Sequence, residues 1–232
     1  VVETLERSLY EALERGDGVA ARAVLRGAYQ QGVAVEALAD QVIAPAMHRI
    51  GHDWAEGKID VFHEHRGSQL CAAAVHELIA RAAASAAPQR PLALGGGPEQ
   101  DPYLLAGLLT ELVLLERGWQ VVNLGPNTPL ASFREALHEL QPRLLWLTVS
   151  YLAKPEQFLV EYRELYTEAD RLGVPVAVGG PALTAEVRAA MPYTTFGDSL
   201  AHLSAFAKTL HPHPKRPQRG RPAKNAPPHR QT

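Results

Sequence analysis

The sequence predicts an α/β protein: a helical bundle followed by a doubly wound parallel sheet. Two observations carry this. Apolar residues recur every three to four positions through the first 87 residues, with no strand-like run among them. After "APQRP" the pattern changes to short apolar runs alternating with amphipathic stretches, and such alternation implies parallel pairing with helices on both faces.

The elements follow in order. "TLERSLYEALERG" reads as a helix ending at Gly16, and Asp17 is placed to cap the next one, "GVAARAVLRGAYQQG". "AVEALADQVIAPAMHRIGHDWAEG" is the third, with Pro45 expected to kink it or divide it in two. "DVFHEHRGSQLCAAAVHELIARAAASA" is the fourth. Short polar connections between helices are the habit of a bundle. Buried strands are expected near 92–95, 120–124, 144–149 and 175–178, from "LALGGG", "WQVVNLG", "RLLWLTV" and "VPVAVGG". "YLLAGLLTELVLLERG", "LASFREALHEL" and "PEQFLVEYRELYTEADRLG" are the intervening helices, and "DSLAHLSAFAKTL" closes the sheet half. The expected division is 1–87 for the bundle, 88–210 for the sheet domain and 211–232 for a disordered, basic, proline-rich tail. In such sheets ligands sit at the carboxyl ends of the strands. The loops there are "GGGPEQDP", "GPNTP", "SYLAKP" and "GGPAL".

Composition narrows the function. The net charge of −2 hides an uneven spread, because the last 22 residues hold six of the 23 basic side chains and no acid. The rest of the chain is acidic, which gives no general nucleic-acid-binding face. A single cysteine, Cys71, excludes an internal disulfide framework and reads as a small core residue in a reducing, cytoplasmic protein. No run of about 18 apolar residues suggests a membrane span, and the N-terminus lacks a signal-peptide core. The chain begins at Val1 rather than Met, so the expectation is a piece of something longer. "GGGPEQ" lacks the Lys-Ser/Thr of a phosphate loop. His48 and His52 have zinc-pair spacing but no third ligand, so a solvated helix face is the better reading. No nucleophile–base–orienter set is evident, and the chain reads as a non-enzyme.

One constellation stands out. Trp54 is followed, after nine residues, by Glu64 and His65, with Gly57, Lys58 and Ile59 at the turn between. Further on come "GWQVVNLG" from Gly118 to Gly125, then Ser150-Tyr151-Leu152, then Gly179-Gly180. In this order the motifs resemble the cobalamin-binding sensor module of CarH-type, MerR-family photoreceptors. The resemblance covers about residues 1 to 209. It implies a four-helix cap over a Rossmann-like, flavodoxin-like domain with the corrinoid between them. It implies that Trp54 and Glu64 surround the adenosyl group of adenosylcobalamin, with His65 nearby as a possible upper cobalt ligand, and that Val61 is a further cofactor-binding residue. It also implies that Ser150, Leu152, Gly179 and Gly180 line the pocket for the nucleotide tail. A large rigid ring and a carboxylate acceptor suit such a ligand.

The pattern breaks at the lower ligand. The family's D/E-x-H-x-x-G motif falls on Asp101, Pro102, Tyr103, Leu104, Leu105 and Ala106. Tyrosine replaces histidine, alanine replaces the glycine, and no histidine lies between His76 and His138. A neutral phenol with a pKa near 10 is a poor cobalt ligand. Three outcomes stay open: cobalamin bound base-on or without a protein ligand below, a linear bilin such as biliverdin in the same cleft, or no cofactor. The functions to weigh are a light- or ligand-responsive transcriptional sensor, a corrinoid carrier of a methyltransferase system, and a cofactor-free anti-repressor. The sensor is expected to form homo-oligomers and to reach DNA only through a missing N-terminal domain or a partner regulator.

Overall fold

The computed structural model describes residues 1–84 and 89–211. The expected boundary at 87 and the tail from residue 212 lie outside the described residues. Four helical stretches come first. α1 (Val2–Arg15) and α2 (Gly18–Gln30) are joined by a tight turn in which the Asp17 carboxylate accepts the Ala20 amide at 2.9 Å. The third stretch runs unbroken from Val35 to Ala55 as α3 (Val35–Leu38), a π-helical turn (Ala39–Ile43) and α4 (Ala44–Ala55). The Ala44 amide reaches back five residues to the Ala39 carbonyl. Pro45 has no N–H to give to the Gln41 carbonyl, and widening the preceding turn is how a helix absorbs that loss without breaking. α5 (Val61–Ala84) completes the set.

The sheet half contains β1 (Leu92–Gly96), α6 (Leu105–Glu116), β2 (Gln120–Asn123), α7 (Leu130–Leu140), β3 (Leu144–Thr148), α8 (Pro155–Arg171), β4 (Val176–Gly179), α9 (Ala185–Ala189), β5 (Thr195–Gly197) and α10 (Leu200–Leu210). All pairings are parallel, in the order β2-β1-β3-β4-β5. This is the flavodoxin-like doubly wound order, which places a crevice between β1 and β3 where the direction of winding reverses. The four expected strands are present within a residue or two. β5 and the short α9 were not expected: three residues of β5 are too few to show a period. Among the described residues no strand lies in the first 84, and no helix is long and apolar enough to cross a membrane.

Side chains alternate across the sheet. Leu94, Leu145, Leu147, Val176 and Val178 face Phe133 of α7 and Phe158 and Tyr162 of α8. Ala93, Leu144, Trp146 and Ala177 face Leu114 of α6 and Leu203 and Ala207 of α10. Gly95 opposes Trp146, and any Cβ on Gly95 would come within 2.1 Å of the indole ring. α6 is apolar nearly all round because it is covered on both sides. Its Leu108, Leu109, Leu112 and Val113 complete the core of the helical half, beside Leu13, Leu25, Leu38, Ile50, Cys71 and Leu78. Burial pushes the Cys71 thiol up to about 12, which makes it an inert core group.

Candidate cofactor-binding site

The loop after β1 is organised by Asp101, which is fully buried. One carboxylate oxygen accepts the Tyr103 amide at 3.1 Å; the other accepts the amides of Ser150 at 2.6 Å and Tyr151 at 3.2 Å. Its carbonyl takes the Asn127 amide at 2.8 Å. Asp101 thus ties together the loops that follow β1, β2 and β3, around the switch point. Burial raises its pKa, and the three amide bonds oppose that rise. Pro102 and Tyr103 project beyond this clasp, with Tyr103 57 % exposed.

A cavity of about 250 Å³ opens on the α6–α10 side of the sheet, near the carboxyl ends of β3 and β4. Gly179 and Gly180 are in its wall, with Thr148 and Ala177 of the strands, Ala106 and Thr110 of α6, and Ser199 and Leu200 at the start of α10. Ala39, Asp40 and Ala44 of the π-helical stretch supply the side belonging to the helical half. Gly180 holds φ at +121°, and a Cβ there would stand 2.3 Å from the Val149 carbonyl oxygen, so the close crossing of these loops requires glycine. Ser150 and Leu152 are not in this wall. Ser150 is held to Asp101, and Leu152 lines a shallow groove with Leu130 and Phe158.

The remaining expected residues sit at the α4–α5 turn. Trp54 is 48 % exposed and Phe62 54 %, with Val61 also exposed. Glu64 is partly covered and accepts the Ser68 hydroxyl at 2.8 Å; the His65 ring is 3.9 Å from Glu64 and largely in solvent. The turn beneath them is held by Asp53. Its carbonyl accepts the Lys58 amide at 2.8 Å and its carboxylate accepts the Tyr10 hydroxyl at 2.7 Å. That bond from Tyr10, with the Lys58 ammonium beside it, keeps the Asp53 carboxyl below the usual range. Burial, together with the bond to Asp53, lifts the Tyr10 phenol to about 12. Ile59 at this turn and Leu104 and Leu105 at the start of α6 lie against the same core. The apolar turn and the loop carrying Tyr103 are therefore carried by one body.

Three groups that bear on the site were not singled out in the sequence. Asp53 braces the turn, Phe62 adds a second exposed ring, and Asp40 joins the two halves. The Asp40 carboxylate accepts the Leu200 amide at 2.9 Å and the Ala201 amide at 3.0 Å, capping α10 from 160 residues away. Ser199, also in a capping position, carries a local signal in "GDSL"; Asp40 carries none. His52 pairs with Glu56 at 3.1 Å on an exposed helix face. No cluster of three or more metal-binding side chains occurs among the described residues.

The residues suit part of a corrinoid and not all of it. Exposed Trp54, Val61 and Phe62 offer an apolar surface that water covers poorly, and the cavity with its glycine crossing offers room for an appendage. The loop after β1 offers no imidazole.

Residues 5–79 match the family model described as a B12 binding domain. The chain is 29 % identical over 146 residues to the HTH-type transcriptional repressor CarA of Myxococcus xanthus, matching 63 % of this chain and 48 % of that protein. It is 31 % identical over 144 residues to the repressor CarH of the same organism, matching 62 % of this chain and 46 % of that protein. The chain thus spans about half the length of the curated relatives it matches. In fold it is similar to the Methanosarcina barkeri monomethylamine corrinoid protein, with a TM-score of 0.67 over 90 % of this chain and 100 % of that one, at 15 % identity. Sequence match and fold together bear out the resemblance: the chain is similar to the CarA and CarH repressors over part of their length, its residues 5–79 match the B12 binding domain model, and its sheet is flavodoxin-like.

Proposed function

We propose that the protein is a regulatory sensor that binds a corrinoid between its helical half and its sheet half and is not an enzyme. The observation that carries this reading is the cavity walled jointly by the π-helical stretch, α6 and the glycine crossing after β4. The family match, the repressor relatives and the fold support it. Trp54, Val61 and Phe62 form the apolar wall against the upper face, and Glu64 accepts hydrogen bonds from a sugar or amino group there. His65, free to turn in solvent, is the group able to reach cobalt when the upper position empties. Adenosylcobalamin is the preferred form, because its adenosyl group gives the ring and the carboxylate something to hold. The bound group supplies a light-sensitive cobalt–carbon bond.

The response is a change in how the cap sits, read out as a change of oligomer or of a partner surface. DNA is reached through a further domain or a partner regulator. A linear bilin is the second reading. It is favoured by Tyr103, whose exposed phenol stands where an imidazole would be needed for lower ligation.

The test is an absorption spectrum of the purified protein after incubation and desalting, with adenosylcobalamin and separately with biliverdin, in the dark and after illumination. Retention of the corrinoid spectrum with a light-dependent change is the expected result. Retention of biliverdin alone selects the second reading, and retention of neither defeats both.

A further inference from the structure

The stretch from Pro214 to Lys224 reads PKRPQRGRPAK and holds five cations, Lys215, Arg216, Arg219, Arg221 and Lys224, with no acid. It takes no part in the function proposed above. Outside the last 22 residues the chain carries 17 basic side chains against 25 acidic ones. Such an acidic body repels nucleic acid, so within these 232 residues a contact with one falls to this stretch.

Charge alone suits any polyanion; the order of the residues is narrower. Arg219 and Arg221 flank a single glycine, Gly220, and Pro217 and Pro222 stand outside them. Segments that enter the minor groove of DNA set arginines at this two-residue spacing. That groove is narrowest over A·T runs, where its negative potential draws guanidinium groups in. A backbone lying on so narrow a floor needs a residue without a side chain between the two arginines, which Gly220 supplies. The prolines have few conformations to lose, which lowers the entropic cost of binding. Lys215, Arg216 and Lys224, toward the two ends, are placed for phosphates. A·T pairs present only acceptors in the minor groove, whereas a G·C pair adds an amino donor that a guanidinium cannot use.

The described residues fix where this stretch leaves the body. α10 begins at the cavity wall, with the Leu200 amide on Asp40, and runs back along the sheet. At its far end Leu210 packs against the cluster of Ala93, Trp119 and Leu144. The His211 ring meets the Trp119 ring edge-on, with 6.0 Å between centroids. Trp119 immediately precedes β2, so His211 stands at the amino ends of the strands, away from the cavity and the loops at their carboxyl ends. A ligand at one end and a duplex at the other do not compete for space.

We propose that residues 214–224 place Arg219, Gly220 and Arg221 in the minor groove of A·T-rich duplex DNA. This contact adds a base-composition preference to whatever domain or partner supplies the main hold on DNA, and it stands whichever ligand the cavity end takes.

The experiment measures binding of the whole chain, by fluorescence anisotropy, to short labelled duplexes of equal length, one of A·T and one of G·C pairs, and to a single-stranded RNA of that length. The A·T duplex is expected to bind about tenfold tighter than the other two, the discrimination of one good groove contact, and netropsin, which occupies the minor groove, should displace it. Arg219→Lys combined with Arg221→Lys keeps the charge but loses the planar, weakly hydrated head. That variant should lose the A·T preference and bind the G·C duplex as the wild type does. Lys215→Ala combined with Lys224→Ala should weaken both duplexes alike. Equal affinity of the wild type for the two duplexes overturns the proposal in favour of plain attraction to polyanions. RNA bound as tightly as the A·T duplex, an A·T preference that survives the double lysine variant, or binding to none of the three overturns it too. None of the substituted residues belongs to the cores described above, and the wild-type comparison needs no variant to fold.

Discussion

Asp101 and Tyr103 stand two residues apart in the loop after β1 and do different work. The buried carboxylate of Asp101 accepts three backbone amides, while the Tyr103 ring is exposed. Asp101→Ala would leave those amides unsatisfied in a buried place. It is expected to cost about 2–3 kcal/mol in chemical denaturation. Tyr103→His should tighten adenosylcobalamin and shift its absorption toward a nitrogen-ligated form, measurable in an absorption titration; no change in either would argue that the loop lies away from cobalt. Trp54→Ala should weaken adenosylcobalamin about tenfold or more and hydroxocobalamin less, because a half-buried indole wall is worth about 1.5 kcal/mol or more. The spacing of Trp54, Glu64 and His65 was legible in the sequence because the three sit on one turn. What fixes that turn was not: Tyr10 reaches Asp53 from 43 residues away, and no local pattern announces such a bond.

Among the elements, the π-helical stretch departs furthest from expectation. Pro45 suggested a kink or a boundary, and the helix instead continues through a wider turn. That turn faces Asp40 toward α10 and puts Ala39 and Ala44 in the cavity wall. Asp40→Ala removes a cap from α10 and should cost about 1 kcal/mol, seen as faster exchange of the Leu200 and Ala201 amides with the rest of the fold unchanged. The cavity itself was hidden in the sequence for the same reason. Its walls come from five separate stretches of chain, and a period of two or 3.6 describes one stretch at a time. The four longer strands were readable from their apolar runs; β5, at three residues, was not.

At the scale of the whole molecule, polar groups join the halves around a shared core. The Glu36 carboxylate accepts from the Arg117 guanidinium and the Ser204 hydroxyl, Arg117 also donates to Ser204 at 2.6 Å, and Tyr29 donates to Glu116. Burial pushes the Glu36 pKa up, but its bonds to Ser204 and Arg117 outweigh that, and the net shift is downward. A carboxyl whose pKa is lower folded than unfolded adds stability above its unfolded value and loses it as pH falls through its folded value. The clasp should therefore be intact at neutral pH and fail below the ordinary carboxylate range. Glu36→Gln should cost about 1–3 kcal/mol at pH 7 and flatten the acid limb of a stability–pH curve.

The core beneath that clasp bears on how such proteins can be recombined. The family match ends at residue 79, yet the helical half has its missing wall supplied by Leu108, Leu109, Leu112 and Val113 of α6. Each is worth about 1.5–3 kcal/mol when buried, a sum comparable to the whole stability of a small domain. A fragment ending at residue 84 is expected to aggregate or to bind hydrophobic dyes. A fragment that grafts the cap onto a foreign sheet should fold only when α6 travels with it. The unit that shuffles by sequence and the unit that stands alone in water differ by one helix.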